Sequence, residues 1–131
     1  MGNDIISKHL EEVLAGGYDA CEFVVNNQKY IEVRKFLISN PPWNRNEISI
    51  LIAVPNTYNI AGLDGFYVED GLGLTGNQAH PRIQAIHSIL GRQWRIVSWH
   101  YVDNKPWTAN DTLLTHIQHC RQFFKQGARS N

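Results

Sequence analysis

The chain has 131 residues, 43% apolar and 18% charged, the make-up of one globular domain with room for a core that needs no disulfide or metal staple. Twelve Lys and Arg against twelve Asp and Glu leave no net charge, so no global field draws in nucleic acid or an anionic membrane. No apolar run approaches the roughly 18–20 residues of a membrane span, the N-terminus lacks a signal peptide's basic and apolar regions, and Cys21 and Cys120 suit small thiols in a reduced, cytoplasmic setting.

Asp4 is placed to cap a first helix, in which Ile5, Ile6, Leu10, Val13 and Leu14 recur at helical spacing opposite Lys8, Glu11 and Glu12. Gly16-Gly17 predicts its end, because glycine takes the left-handed conformation past a helix cheaply. From Ala20 the pattern turns to strand. Cys21 to Val25 is rich in β-formers, Asn26-Asn27 is a turn signal, and Tyr30 to Ile38 alternates Ile31 and Val33 with Glu32 and Arg34. Ser39 to Asn46 reads as a loop, its Trp43 a lid on the core more readily than an anchor for a partner. Ile48 to Val54 is the most apolar run and reads as a central strand, stopped by Pro55, which has no N–H for a ladder.

Gly65 to Val68 reads as a short fourth strand, and the glycine-rich Glu69 to Gln78 as loop. Ala79 to Arg92 is ambiguous: Ile83, Ile86, His87 and Leu90 have helical spacing, against which stand Pro81 and Ser88. Trp94 to Trp99 reads as a short strand or extended segment. Asn110 or Asp111 then caps a final helix whose inner arc carries Leu113, Leu114, Ile117, Cys120, Arg121 and Phe124, with Thr115, His119 and Gln122 off it. The predicted architecture is one α+β domain over residues 1–131. It has an N-terminal helix, a four-stranded antiparallel meander, a long irregular crossing and a C-terminal helix, the sheet covered on one face.

Several short pieces occur in a set order. They are Pro55-x-x-Tyr58, Asp64-Gly65-Phe66-Tyr67, His80-Pro81-x-Ile83, Gly91-Arg92-Gln93-Trp94, Ser98-Trp99-His100, Pro106-Trp107, and Asp111-Thr112-Leu113-Leu114-Thr115-His116. The set, over roughly residues 30 to 125, resembles the ubiquitin-conjugating-enzyme fold, and within it the prokaryotic family-E ubiquitin-conjugating-like proteins. One departure is Trp99, which stands in Ser98-Trp99-His100 where the resemblance leads one to expect Arg.

The resemblance implies a protein that carries a ubiquitin-like tag, received from an activating enzyme, as a thioester on cysteine, with an amide beside it to stabilise the oxyanion. Neither group is where the family pattern puts it. His80-Pro81-Arg82 has Arg82 in place of the Asn, and no cysteine occurs between Cys21 and Cys120. Ser98 and His100 lie two apart, so on an extended segment they share a side where a base meets a hydroxyl. An oxyester carrier at Ser98, with His100 and Arg82 as catalytic partners, stands beside a plainer reading in which these residues fix the path of the Trp-rich segment. The candidate binding residues are Trp99, His80, Trp107 and His116, with packing or capping as the default for His116. The expected partners are a ubiquitin-like protein and its activating enzyme, and the alternative is an inert adaptor that only binds the tag. The glycines of residues 62–76 form no phosphate-binding fingerprint, and His116-x-x-His119-Cys120 lacks paired metal-ligand spacing, so neither cofactor nor metal is expected.

Overall fold

The computed structural model describes residues 2–58, 60–76, 78–101 and 106–126; for residues 2–4 and 126 the description covers the backbone alone. Helix α1 (Gly2–Ala15) begins ahead of Asp4, which therefore falls inside the helix and not at its cap; the Asp4 side chain lies outside the described residues. Ile6 and Val13 are its buried side chains, while Ile5 and Leu14 stay exposed. It closes as expected on the glycine pair. Gly17 is left-handed at φ 93°, and the Gly17 and Tyr18 amides donate to the carbonyls of Leu14 and Val13, satisfying groups a helix end otherwise orphans.

Strands β1 (Asp19–Val25) and β2 (Gln28–Leu37) form the predicted hairpin, with Asn26 and Asn27 at φ 50° and 66° in its two-residue turn. Strand β3 (Glu47–Val54) is the apolar run, buried on both faces at Ile50, Leu51 and Ile52, and it stops at Pro55. Strand β4 (Phe66–Glu69) follows.

The meander does not end there, which corrects the expected four-stranded sheet and its irregular crossing. The sheet has six strands in the order β1-β2-β3-β4-β6-β5, because β5 (Ile83–Ile89) and β6 (Arg92–Val97) form a further hairpin. Every pairing is antiparallel. The helical spacing in Ile83 to Leu90 has a local cause. Ile83 pairs with Val97 and Ile86 with Arg95, so β5 carries one residue too many between them; a bulge spaces apolar positions by three while the chain remains extended. Leu90 and Gly91, at φ 51° and 74°, make the turn. Leucine is a poor signal for that conformation, since a left-handed residue with a bulky side chain is disfavoured.

Helix α2 (Leu113–Gln126) packs beside α1 on one face of the sheet. Its cap is Thr112, not Asn110 or Asp111. Thr112 Oγ1 accepts from the Thr115 amide at 3.3 Å, and Thr115 Oγ1 returns the contact to the Thr112 amide at 2.7 Å. Asp111 instead closes the preceding turn by accepting from the Thr108 amide at 2.8 Å. The core between helices and sheet joins Ile6, Val13, Ile31, Ile50, Ile52, Phe66, Val68, Val97, Ile117 and Phe123. Trp43 is wholly buried in it and donates its indole N–H to the Phe124 carbonyl at 2.9 Å, so the loop tryptophan is indeed core. Cys120 is sealed in the same core, and burial pushes its thiol up well above its usual range, which makes it inert as a nucleophile. Cys21 lies half-buried on β1. No helix among the described residues is long and apolar enough to cross a membrane.

Candidate functional site

Strand β6 ends at Val97, and the chain leaves the sheet through Ser98, Trp99 and His100. The residues leading into β5 hold this exit. The Ser98 amide donates to the Arg82 carbonyl at 2.8 Å, and Arg82 Nη1 donates to the Ser98 carbonyl at 3.1 Å. The guanidinium also lies 5.9 Å from the Trp99 ring centre. Arg82 is thus brought beside Ser98 by two hydrogen bonds, although the two lie sixteen positions apart in the chain.

Ser98 and His100 meet as their spacing suggests: Ser98 Oγ lies 3.4 Å from His100 Nε2. This is longer than the usual formed hydrogen bond to a hydroxyl. A third member was not expected from the sequence. His100 Nδ1 lies 3.1 and 3.2 Å from the two carboxylate oxygens of Asp64, on the loop before β4. With a carboxylate at Nδ1, that nitrogen carries the proton and donates it, which leaves Nε2 as an acceptor facing the Ser98 hydroxyl. The signal was present in Asp64-Gly65-Phe66-Tyr67, but nothing in one dimension says that the loop before β4 and the exit from β6 lie side by side. Antiparallel pairing of Phe66 with Val97 puts them there.

The Asp64 loop is held from below. His116 is fully buried and spends both nitrogens: Nε2–H donates to the Gly65 carbonyl at 2.8 Å, and Nδ1 accepts from the Tyr101 hydroxyl at 2.6 Å. Burial drives its imidazole down to about 4, so it is neutral at physiological pH. Burial likewise raises the Tyr101 phenol, which stays protonated as the donor. Trp107 is half-buried, with its ring against Tyr58, Tyr101 and His116. Trp99, also half-buried, donates to the His119 carbonyl at 2.9 Å and meets Phe123 edge-on.

His80 is likewise interior, 3% exposed, stacked on Trp43 with its Nδ1 accepting from the Arg82 amide at 3.1 Å. The structure therefore groups Ser98, His100, Asp64, Arg82 and Trp99 at one surface. It places His80 and His116 beneath that surface, where they hold its loops and are closed to a partner. Among the described residues no three His, Cys, Asp or Glu converge as a metal-binding group.

The sequence profile of the family described as prokaryotic E2 family E matches residues 8–126, and the chain belongs to this family of ubiquitin-conjugating-enzyme-like proteins. No curated protein and no solved structure matches it significantly.

Proposed function

From that membership we propose that the chain handles a ubiquitin-like protein in a bacterial modification pathway, and that it holds the tag's C-terminus on Ser98 instead of on cysteine. The observation that carries this is the approach of His100 Nε2 to the Ser98 hydroxyl at 3.4 Å, in a chain with no cysteine between Cys21 and Cys120. His100 takes the hydroxyl proton as Ser98 attacks the activated carbonyl, and the Arg82 guanidinium adds positive charge beside the developing oxyanion. Trp99 offers the half-buried aromatic surface against which a tag's C-terminal segment packs.

A second reading is a binding-only adaptor. What favours it is the exposure of the site, with the side chains of His100 and Asp64 62% and 61% exposed. Incubation with the tag, its activating enzyme and ATP separates the two. A hydroxylamine-sensitive adduct that is lost in Ser98→Ala supports the carrier. Absence of any adduct, with tag binding equal in wild type, Ser98→Ala and His100→Ala, overturns the carrier and supports the adaptor.

A further inference from the structure

The order Ser98 Oγ, His100 Nε2, His100 Nδ1, Asp64 carboxylate supports more chemistry than the carrying of a tag. A carboxylate bonded to Nδ1 does two things for an imidazole: it selects the tautomer whose Nε2 accepts a proton, and it stabilises the imidazolium that forms when the proton arrives. A serine with that partner is a general acyl acceptor, able to attack thioesters and activated oxygen esters alike. The carboxylate comes from the turn before β4 and the other two groups from the exit of β6. Both segments have their backbones pinned, Gly65 by His116 and Ser98 by Arg82, so the three groups sit on fixed supports instead of mobile tips.

The surroundings decide the fate of an acylated Ser98. Transfer to an amine with high yield needs a site that excludes water, because water is a competing nucleophile at enormous concentration. Here His100 and Asp64 are both more than half exposed. Water therefore reaches the His100 side chain, whose Nε2 must deprotonate the second nucleophile.

We propose that Ser98, His100 and Asp64 form a serine acyl-hydrolase centre whose substrates are acyl thioesters and activated esters, the thioester-linked tag among them. The proposal rests on the assignment of Ser98 as the acyl acceptor. In the first half, Ser98 Oγ bonds to the carbonyl carbon and the carbon–sulfur bond breaks. The hydroxyl proton passes to His100 Nε2 and from there to the leaving thiolate, released as thiol. In the second half, water attacks the Ser98 ester and gives one proton to His100 Nε2. The carbon–Oγ bond then breaks, that proton returns to Ser98 Oγ, and a carboxylic acid leaves. No electron is gained or lost overall. Ser98 and His100 are catalytic residues in this scheme, and Asp64 is a positioning residue acting through His100.

The test needs neither tag nor activating enzyme. The purified chain is given S-phenyl thioacetate and p-nitrophenyl acetate, and separately a fluorophosphonate probe read by intact mass. The expected result is turnover of both esters and one probe adduct mapping to Ser98, both abolished in Ser98→Ala and His100→Ala. Asp64→Asn keeps the shape of the side chain but not its charge. It is expected to slow turnover roughly tenfold, less than the ~10⁴-fold seen where such a carboxylate is buried, because Asp64 is 61% exposed and water shares its role. Asp64→Glu, which restores the charge, is expected to recover part of the loss, as a purely structural role would not. Hydrolysis that survives in Ser98→Ala would be simple imidazole catalysis and would overturn the proposal, as would a wild type inert to both esters. A stable Ser98–tag ester in a chain inert to both esters would overturn the hydrolase and leave the carrier reading intact. Turnover by the three residues with no tag adduct and no tag binding would do the reverse.

Discussion

Replacing His116 by glutamine tests whether the candidate site stands on a buried neutral imidazole. In the folded chain burial holds His116 down to about 4, while in the unfolded chain it titrates near its ordinary 6.5. Between those values the unfolded chain binds more protons than the folded one, so stability falls as pH falls. The contribution is complete above the unfolded value of 6.5, erodes as pH drops through the window, and is fully lost below about 4. That gap, at ~1.4 kcal/mol per pH unit, comes to about 3 kcal/mol across the window, of which about 2 kcal/mol has gone by pH 5. Glutamine keeps a donor for the Gly65 carbonyl and an acceptor for the Tyr101 hydroxyl but does not titrate. His9 and His119 are also lowered by burial and remain in the variant, so the difference between the two proteins isolates His116. Urea unfolding at pH 8 and pH 5 is the assay. Wild type is expected to lose about 2 kcal/mol more than His116→Gln between the two. Parallel losses, within about 0.5 kcal/mol, would refute the argument that this imidazole is held neutral beneath the Asp64 loop.

Gly62 faces the Trp107 ring so closely that a Cβ there would overlap it. Gly62→Ala is expected to cost about 1–3 kcal/mol in urea unfolding and to change the near-ultraviolet circular dichroism of the tryptophans. Trp43→Phe removes the donor to the Phe124 carbonyl and part of a wholly buried ring. A loss of about 2–4 kcal/mol is expected in the same assay, and a value under 1 kcal/mol would mean that Trp43 is a removable lid. Thr112→Ala should cost about 1 kcal/mol as the true cap of α2, while Asn110→Ala changes thermal stability little; the opposite ranking would return the cap to Asn110.

Much of the fold was legible in one dimension because its signals are local. The glycine pair ending α1, the Asn26-Asn27 turn, the apolar β3 and the proline that stops it each depend on residues within a few positions of one another. The β5–β6 hairpin escaped for an equally physical reason. Its bulge puts Ile83 and Ile86 three apart, its turn uses Leu90 with a left-handed backbone, and its edge position leaves Ile86 and Leu90 exposed, so period-two burial never shows. Trp43 could be read only as a lid, because burial of a loop residue is decided by what folds over it, here Phe123 and Phe124.

The site divides along the same line. Sequence alone determined that no cysteine lies between residues 21 and 120, and that Ser98 and His100 share a side, since the two-residue period of an extended chain requires it. It also carried the family, through an ordered set of motifs. Only the tertiary structure decided which histidines reach the surface and which are sealed beneath it, and only the structure added Asp64. Thirty-six residues separate Asp64 from His100. What closes that gap is the pairing of β4 with β6, a long-range register that no local pattern encodes.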